Sequence, residues 1–345
     1  MSNKNPLVSV VICEHNTKLE YLEKAIESML SQTYSNFEIV FVDDCSDTDY
    51  MALKIMGDPR IKIIKNKVNL GLGASRNVGI GVSQGKYIAI MDTDDISHNN
   101  RLAKQVEFME NNIDVAACGT WFNMFGDKSG TIKRVIDDND YYRCCLFFDN
   151  DPAIINPSTM IRKSVLTENY IKYNEKVTSA EDYYMWITIS KFGRVTNLKE
   201  VLFDYRIRKG QMSDRFRTID ISDNGWAILK EQLNWLGFKL DDEKEKFIRL
   251  NYLKKEVNPY KYFKYLKELS SLNLSAKVFD QVKFDKRIRK QWVNKIYSIK
   301  NPFSILKLLF QLPFKEKWFL IKKEFARLNR RRIKQEETKE IIVCE

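Results

Sequence analysis

Residues 7–91 alternate between short apolar runs and amphipathic stretches, and this alternation limits the possible folds more than any other feature. Leu7–Cys13 and Phe37–Val42 are nearly unbroken runs of apolar and β-branched residues, typical of strands covered on both faces of a parallel sheet. The same patterns predict strands at Ile61–Lys65 and Lys86–Met91 and helices at Thr17–Leu30, Asp47–Met56 and Ala74–Val82. Thr17 with Glu20 predicts a capping box at the start of the first helix. This order of elements predicts an α/β domain with a mostly parallel, doubly wound central sheet.

The rest of the chain is predicted to complete this domain and to add a helical, basic C-terminal region. The patterns predict a helix near Arg101–Asn111, mixed strands through Val135, a loop at Asn156–Thr159 and a helix near Glu181–Lys191. Residues 220–345 hold 29 Lys and Arg against 17 Asp and Glu, whereas residues 1–219 hold 28 against 29. This change in charge predicts two domains, residues 1–219 and residues 220–345.

Composition excludes several classes of protein. A hydrophobic content of 44% with 13 glycines and 7 prolines describes a folded globular chain rather than a disordered or fibrous one. Six cysteines without a CxxC pair and two histidines argue against a zinc site. The first residues lack the pattern of a secretory signal, and no apolar run approaches the ~18 residues of a membrane-spanning helix. We therefore expect a cytoplasmic protein without a transmembrane anchor.

Polar residues gather where the predicted strands end. In parallel sheets, ligands bind beyond the carboxyl ends of the strands, where the connecting loops meet. These loops contain Glu14 and Asn16 after the first strand, Asp43 after the second, and Asp92, Asp94 and Asp95 after the Lys86–Met91 strand. The sequence therefore predicts an acidic ligand site at this edge of the sheet.

The Asp92-x-Asp94-Asp95 motif suggests a metal site. Crowded carboxylates repel one another unless a cation holds them, and Mg²⁺ or Mn²⁺ prefers oxygen ligands shared with a substrate's phosphates. A second interpretation is an Asx-rich turn that caps the helix at Arg101.

Two other loops have equally open interpretations. Asp43 can accept hydrogen bonds from a nucleobase or ribose, or the segment with Asp44 and Ser46 can cap a helix. A glycine-rich entry into the helix at Ala74–Val82 offers N–H groups to an anion, and Arg76 adds a guanidinium suited to phosphate. Alternatively Arg76 lies on a solvated helix face. A dinucleotide fingerprint would need glycine at position 76, which argues against hydride transfer.

The motifs taken together resemble glycosyltransferase family 2, whose members are inverting enzymes with the GT-A fold. They are Val8–Asn16, Ser31–Tyr34, Glu38–Asp44 with Ser46, Asn69–Ile80 and Gly85–Asp95. The resemblance covers residues 7–208 in order and implies a nucleotide-sugar donor, often a UDP-sugar, in a GT-A-type nucleotide-binding domain.

The resemblance also implies roles for individual residues. Asp43 would contact the nucleobase, and Glu14 and Asn16 would line the nucleotide pocket. Asp92 would contact the ribose or the metal shell. Asp94 would be the direct metal ligand, with Asp95 as the competing assignment.

The segment from Ser179 to Trp186 resembles the family's Glu-Asp motif. The resemblance implies that Asp182 removes the proton of the acceptor hydroxyl, a step to which a positioned carboxylate contributes about 10²–10⁴-fold. Glu181 would bind the acceptor or orient the helix. The other interpretation of the pair is an acidic first turn that complements the helix dipole.

One position departs from the family pattern. Many relatives have a histidine two residues after the Phe203–Arg206 segment, where it can complete the metal shell, and this chain has Arg208. Arginine cannot bind a metal. We therefore expect fewer protein ligands for Mn²⁺ or Mg²⁺, and we expect Arg208 or Lys209 to help neutralise the donor's diphosphate.

The C-terminal segment Asn301–Lys334 combines apolar and aromatic residues with many lysines and arginines. A cationic amphipathic helix of this kind is typical of a segment that lies on an anionic membrane surface. One stripe of core-facing residues explains the apolar positions equally well.

These features together predict an inverting hexosyl- or N-acetylhexosaminyltransferase of cell-surface polysaccharide assembly. It would act on a glycan or lipid-linked acceptor, in the cytoplasm or peripherally on the inner membrane face. Nucleic acid is not an expected partner, because the predicted cleft is acidic. A non-catalytic nucleotide- or nucleic-acid-binding protein and a nucleotidyltransferase are the alternatives.

Overall fold

The computed structural model describes residues 5–149, 153–175, 181–210, 220–252, 258–299, 308 and 310–313. The chain divides into two compact units, residues 1–232 and residues 233–345. A helix covers Asp220–Trp235 and so runs through the point of division. The division into functional domains at residues 219 and 220 stays a prediction.

The first unit is built on one mixed sheet, which has nine strands within the described residues. The strands are β1 (Val8–Glu14), β2 (Phe37–Asp43), β3 (Ile61–Lys65), β4 (Tyr87–Met91), β5 (Ile96–Ser97), β6 (Val115–Gly126), β7 (Gly130–Ile132), β8 (Met160–Arg162) and β9 (Arg194–Ile207). Their order in the sheet is β3-β2-β1-β4-β8-β6-β9-β5, and β7 pairs with β6. The predicted α/β class is therefore confirmed.

The sheet has a parallel half and a mixed half. Strands β1 to β4 run parallel to one another, as the sequence predicts. Strand β8 is antiparallel to both β4 and β6, whereas β6 and β9 are parallel over a long register. The mixed half carries β5 at its edge, antiparallel to β9. This pairing brings the chain just after β4 next to the end of β9.

Helices pack on the sheet and continue into the C-terminal region. They are α1 (Leu19–Leu30), α2 (Leu72–Val82), α3 (Arg101–Asn111), α4 (Asn139–Asp149), α5 (Lys163–Glu168), α6 (Glu181–Ile189), α7 (Asp220–Trp235), α8 (Asp242–Tyr252), α9 (Pro259–Ala276) and α10 (Gln281–Tyr297). The helical C-terminal region is thereby confirmed for its described residues.

Helix α2 approaches the sheet unusually closely. A Cβ atom on Gly79 would lie 2.6 Å from Val11 and 3.1 Å from Val42, so glycine is required for the helix to pack directly on β1 and β2. Gly71, with a φ of 84°, precedes the helix in a conformation that other residues rarely adopt. The close packing fixes the position of Arg76 on the same helix.

Two local predictions are wrong. Asp47–Met56 does not form an α-helix but two short 3₁₀ turns, Tyr50–Ala52 and Lys54–Gly57, separated by extended backbone at Leu53. The Tyr50 hydroxyl donates to Asp43 and its ring packs on Phe41, which holds the segment against the sheet.

The capping box predicted at Thr17 is also absent. Helix α1 begins after Lys18, which makes no side-chain capping bond. The Thr17 hydroxyl lies 2.7 Å from the hydroxyl of Thr93 instead, so it joins two strand-end loops.

The second unit has an aromatic core within its described helices. Phe263 on α9 packs against Trp292 on α10 with ring centroids 5.1 Å apart, and Leu266 on α9 and Phe284 on α10 are also buried. None of the described helices is long and apolar enough to cross a membrane. The segment Asn301–Lys334 lies outside the described residues except at 308 and 310–313, so its predicted amphipathic helix stays a prediction.

Candidate active site

The ends of three neighbouring strands bring the predicted site residues together. In the sheet register Glu14 at the end of β1 is opposite Asp43 at the end of β2, and Ile12 is opposite Met91 on β4. Asp92 therefore emerges beside the end of β1. The predicted convergence of acidic residues at this edge is what the structure shows.

Hydrogen bonds tie the loops after β1 and β2 into one wall. Oε1 of Glu14 accepts from the backbone N–H of Thr17 at 2.8 Å and from the Ser46 hydroxyl at 3.2 Å. Oδ1 of Asn16, a residue with a φ of 56°, accepts from the backbone N–H of Asp47 at 2.8 Å. Oε2 of Glu14 is buried and has no hydrogen-bond partner in the described part of the chain. Glu14 is 0% exposed, so this oxygen is not accessible from solvent, and the predicted contact of Glu14 with the nucleotide stays a prediction.

Asp43 is held from several sides. Its Oδ1 accepts from the backbone N–H of Ser46 at 2.8 Å, and its Oδ2 accepts from the Tyr50 hydroxyl at 2.7 Å. Lys65 lies 3.6 Å from the same Oδ2. Since each carboxylate oxygen has two lone pairs, these bonds fix the orientation of Asp43 and leave acceptor capacity for a base.

The adjacent Asp44 has a structural role that sequence reasoning assigned only in part. It accepts from the backbone N–H groups of Leu70 at 2.8 Å and Gly71 at 2.9 Å, and from the Asn66 amide at 2.9 Å. Burial alone would raise the pKa of Asp44, but these hydrogen bonds and that of Ser75 outweigh it and lower the pKa. Asp44 thus anchors the glycine-rich loop before α2.

Arg76 joins two acidic groups that are far apart in the sequence. Its Nη2 donates to Asp92 at 2.9 Å and its Nη1 donates to Glu181 at 2.8 Å, while its side chain is only 4% exposed. The guanidinium also lies over the Tyr173 ring, 5.4 Å from the centroid. Burial alone would lower the pKa of Arg76, but the nearby acidic groups, Asp92 first, raise it. Its predicted contact with a donor phosphate stays a prediction.

Two further arginines donate hydrogen bonds to the carboxylates of Asp94 and Asp95. Nε of Arg208 donates to Oδ2 of Asp94 at 3.0 Å, and the backbone N–H of Arg206 donates to Oδ1 of Asp95 at 2.7 Å. Burial and then the negative charge of Asp92 raise the pKa of Asp94. Burial, followed by Asp94 and Asp92, raises the pKa of Asp95 well above its ordinary value. The loop therefore concentrates negative charge in a partly dry environment.

Asp182 is the second residue of α6 and follows Glu181. Its Oδ1 accepts from the backbone N–H of Tyr183 at 2.7 Å, and part of the side chain stays accessible. Burial and then the neighbouring Glu181 carboxylate raise the pKa of Asp182 to about 6, although Arg76 opposes the shift. A carboxylate with this pKa is ionised at neutral pH and still binds protons strongly enough to act as a base.

Comparison with known proteins identifies the family. The model of "Glycosyl transferase family 2" matches residues 9–169. An uncharacterized glycosyltransferase of Haemophilus influenzae is 35% identical over 222 residues, which cover 60% of this chain and 68% of the relative. The chain belongs to glycosyltransferase family 2.

Two further comparisons place this glycosyltransferase among characterised proteins. The Escherichia coli UDP-Glc:alpha-D-GlcNAc-diphosphoundecaprenol beta-1,3-glucosyltransferase WfaP is 32% identical over 214 residues, covering 60% of this chain and 80% of the relative. The solved structure of S. aureus TarS 1-349 in complex with UDP-GlcNAc superposes with a TM-score of 0.56 at 17% identity, covering 80% of this chain and 89% of that chain. The sheet and helices described above are thus a GT-A-like fold.

The donor set of the glycosyltransferase fits a divalent cation that the substrate helps to hold. In the described ranges no group of three or more His, Cys, Asp or Glu residues could hold a metal by itself. Asp95 is 1% exposed, whereas the side chains of Asp92 and Asp94 are 30% and 21% exposed. Mg²⁺ and similar ions commonly take one or two carboxylates and complete their shell with substrate phosphates.

Proposed function

We propose that this glycosyltransferase moves a sugar from a UDP-sugar to a hydroxyl of a glycan or lipid-linked acceptor with inversion of the anomeric carbon. The relative WfaP supports the donor class and the lipid-linked acceptor, since its name states a UDP-glucose donor and a diphosphoundecaprenol acceptor. The proposal includes a hexose or N-acetylhexosamine as the transferred sugar and a place in the assembly of cell-surface polysaccharides. Glucose is the sugar in the name of WfaP.

The observation that carries the proposal is the link between the two acidic regions through Arg76. The donor-side carboxylate of Asp92 and the Glu181 carboxylate accept from the two Nη atoms of one buried guanidinium. Asp182 follows Glu181 directly, so this link sets the base at a fixed place relative to the donor edge. Fixed geometry between base and donor is what a direct displacement requires.

In the proposed reaction Asp182 accepts the proton of the acceptor hydroxyl. The acceptor oxygen forms a bond to the anomeric carbon while the bond from that carbon to the diphosphate breaks, and the electron pair leaves with the diphosphate. A Mg²⁺ or Mn²⁺ ion held by Asp94 and Asp92 would supply positive charge at that diphosphate. Arg208, 47% exposed at the same edge, is placed to add a second positive charge.

The donor pocket would be formed by Glu14, Asn16 and Asp43. The remaining lone pairs of Asp43 suit the N–H and hydroxyl donors of a nucleoside, and Glu14 and Asn16 hold the adjoining loops in place. Association with an anionic membrane surface, cytoplasmic location and a peripheral place on the inner membrane face stay predictions from the basic C-terminal sequence.

Asp182→Asn tests the proposal, because the amide keeps the shape and cannot accept the proton. We expect turnover to fall about 10²–10⁴-fold while UDP binding stays unchanged. Turnover is measured as UDP release and product mass with UDP-glucose, UDP-galactose and UDP-N-acetylglucosamine and a synthetic GlcNAc-diphospho-lipid. The coupling constant between the anomeric proton of the transferred sugar and the proton on its C2 shows whether the anomeric carbon was inverted.

The matched control is Asp58→Asn, which removes one carboxylate of an ion pair with Arg60 outside the strand-end loops of the site. It should keep normal turnover. Near-normal turnover by Asp182→Asn, with intact folding, would show that another group acts as the base.

A further inference from the structure

Two of the arginines at the Asp92–Asp95 loop are fixed in place. The side chain of Arg76 is 4% exposed and bonded at both Nη atoms. The guanidinium of Arg206 lies between the rings of Tyr21 and Phe125, at 4.1 Å and 4.3 Å from their centroids, and its Nε donates to a backbone carbonyl. Displacing Arg76 would break two ion pairs, and displacing Arg206 would break two ring contacts and a hydrogen bond.

Arg208 differs from them in its exposure. Its side chain is 47% exposed, and it meets the 21% exposed carboxylate of Asp94 with Nε and Oδ2 3.0 Å apart. An exposed ion pair of this kind is worth at most a factor of about five in an equilibrium constant. The side chain is also long and flexible, and it follows β9 directly. The contact with Asp94 is therefore one that a competing cation can displace.

The chemistry of the two cations makes their simultaneous binding at Asp94 unfavourable. A guanidinium has no lone pair to offer a metal, and its positive charge beside the carboxylate repels a divalent ion. The same guanidinium forms strong paired hydrogen bonds with phosphate oxygens. A diphosphate bound at this edge would thus pair with Arg208 more strongly than the Asp94 carboxylate does.

We propose that Arg208 is a displaceable counter-cation, which occupies Asp94 in the absence of donor and moves to the donor's diphosphate when nucleotide and metal bind. The inference rests on the proposed function for the identity of the diphosphate. It makes metal binding depend on nucleotide binding, since the diphosphate draws Arg208 away from Asp94. The protein without nucleotide then holds Mn²⁺ weakly.

Mn²⁺ binding to the full chain tests the competition between Arg208 and the metal without turnover. It is measured by the electron paramagnetic resonance signal of free Mn²⁺. We expect Arg208→Gln to bind Mn²⁺ about fivefold more tightly than the wild type in the absence of nucleotide. Arg208→Lys keeps the positive charge and should bind Mn²⁺ like the wild type. Calorimetry with UDP in EDTA should show weaker binding by Arg208→Gln, again about fivefold.

Arg194→Gln is the matched control. Arg194 is the first residue of β9, the strand that Arg208 follows, and it pairs with Asp114 at 2.7 Å with a side chain that is 29% exposed. The variant Arg194→Gln should leave the affinities for Mn²⁺ and UDP unchanged. Thermal unfolding of all variants checks that they fold alike.

The outcomes separate this inference from the proposed function. Equal Mn²⁺ affinity of Arg208→Gln and the wild type, or no Mn²⁺ binding by either, would overturn the competition for Asp94. If Arg208→Gln gains Mn²⁺ affinity but the wild type binds no UDP, the competition stands and the proposed donor fails. If UDP binds the wild type and Arg208→Gln equally in EDTA, the transfer of Arg208 to the diphosphate is wrong.

Discussion

The two acidic clusters that meet at Arg76 differ in how their charge is compensated. In the Asp92–Asp95 loop, the side chains of Arg76 and Arg208 bond Asp92 and Asp94, whereas Asp95 accepts a backbone N–H. In the Glu181–Asp182 pair, Arg76 bonds Glu181, while Asp182 accepts a backbone N–H and has a pKa raised to about 6. Asp92 and Asp94, each paired with a guanidinium, suit a site for cations and donor, whereas Asp182 is bonded by a backbone N–H and keeps its affinity for a proton.

Replacing Arg76 should have the largest effect on stability, because both acidic clusters share its charge. Arg76→Gln leaves Glu181, whose side chain is 10% exposed, and Asp92 without their shared cation. Breaking a buried ion pair from one side typically costs about 3–5 kcal/mol, and we expect a loss of that size in the free energy of unfolding. Urea denaturation at pH 7.5 measures it.

A second substitution shows whether the lost stability comes from the orphaned carboxylate. Arg76→Gln with Glu181→Gln removes the uncompensated charge, so the double variant should recover part of the stability. A double variant no more stable than Arg76→Gln would mean that Arg76 acts through packing on Tyr173 rather than through charge.

Asp182→Asn should have a smaller effect on stability, and this effect should be a gain rather than a loss. The folded protein holds the Asp182 proton more tightly than the unfolded chain, because the pKa rises from 3.8 to about 6. The wild type therefore loses stability as the pH rises from about 4 through 6, and the loss is complete above 6. The amide cannot ionise, so we expect the variant to gain about 1–2 kcal/mol over the wild type at pH 8 relative to pH 4.

Urea denaturation at the two pH values measures this gain, with Asp58→Asn as the control. The pKa of Asp58 is lowered by its bond to Arg60, so its removal should not stabilise the protein at pH 8. The absence of any pH-dependent gain in Asp182→Asn would contradict the raised pKa.

Local periodicity explains why part of the fold could be predicted. The strand Ile61–Lys65 and the helix Arg101–Asn111 are confirmed at the predicted bounds. The convergence of Glu14, Asp43 and Asp92 was also predictable, since the carboxyl ends of parallel strands meet at one edge. These features depend on neighbours in the sequence or on a general property of sheets.

Contacts between distant residues explain what the sequence did not reveal. Arg76 and Glu181 are 105 residues apart, and no spacing rule brings them together. The 3₁₀ turns near Tyr50 depend on its bond to Asp43, which overrides the helical pattern of that segment. Sequence reasoning therefore identified the groups of the site but not which charges neutralise one another.

The pH dependence of kcat/KM tests the central claim most directly, because it reports the ionisation of the base in the free enzyme. We expect the wild-type value to rise about tenfold per pH unit up to a pH of about 6 and then to level off, as Asp182 loses its proton. The residual activity of Asp182→Asn should lack this limb. A wild-type profile flat through pH 6, or the same limb in Asp182→Asn, would contradict the assignment of Asp182 as the base.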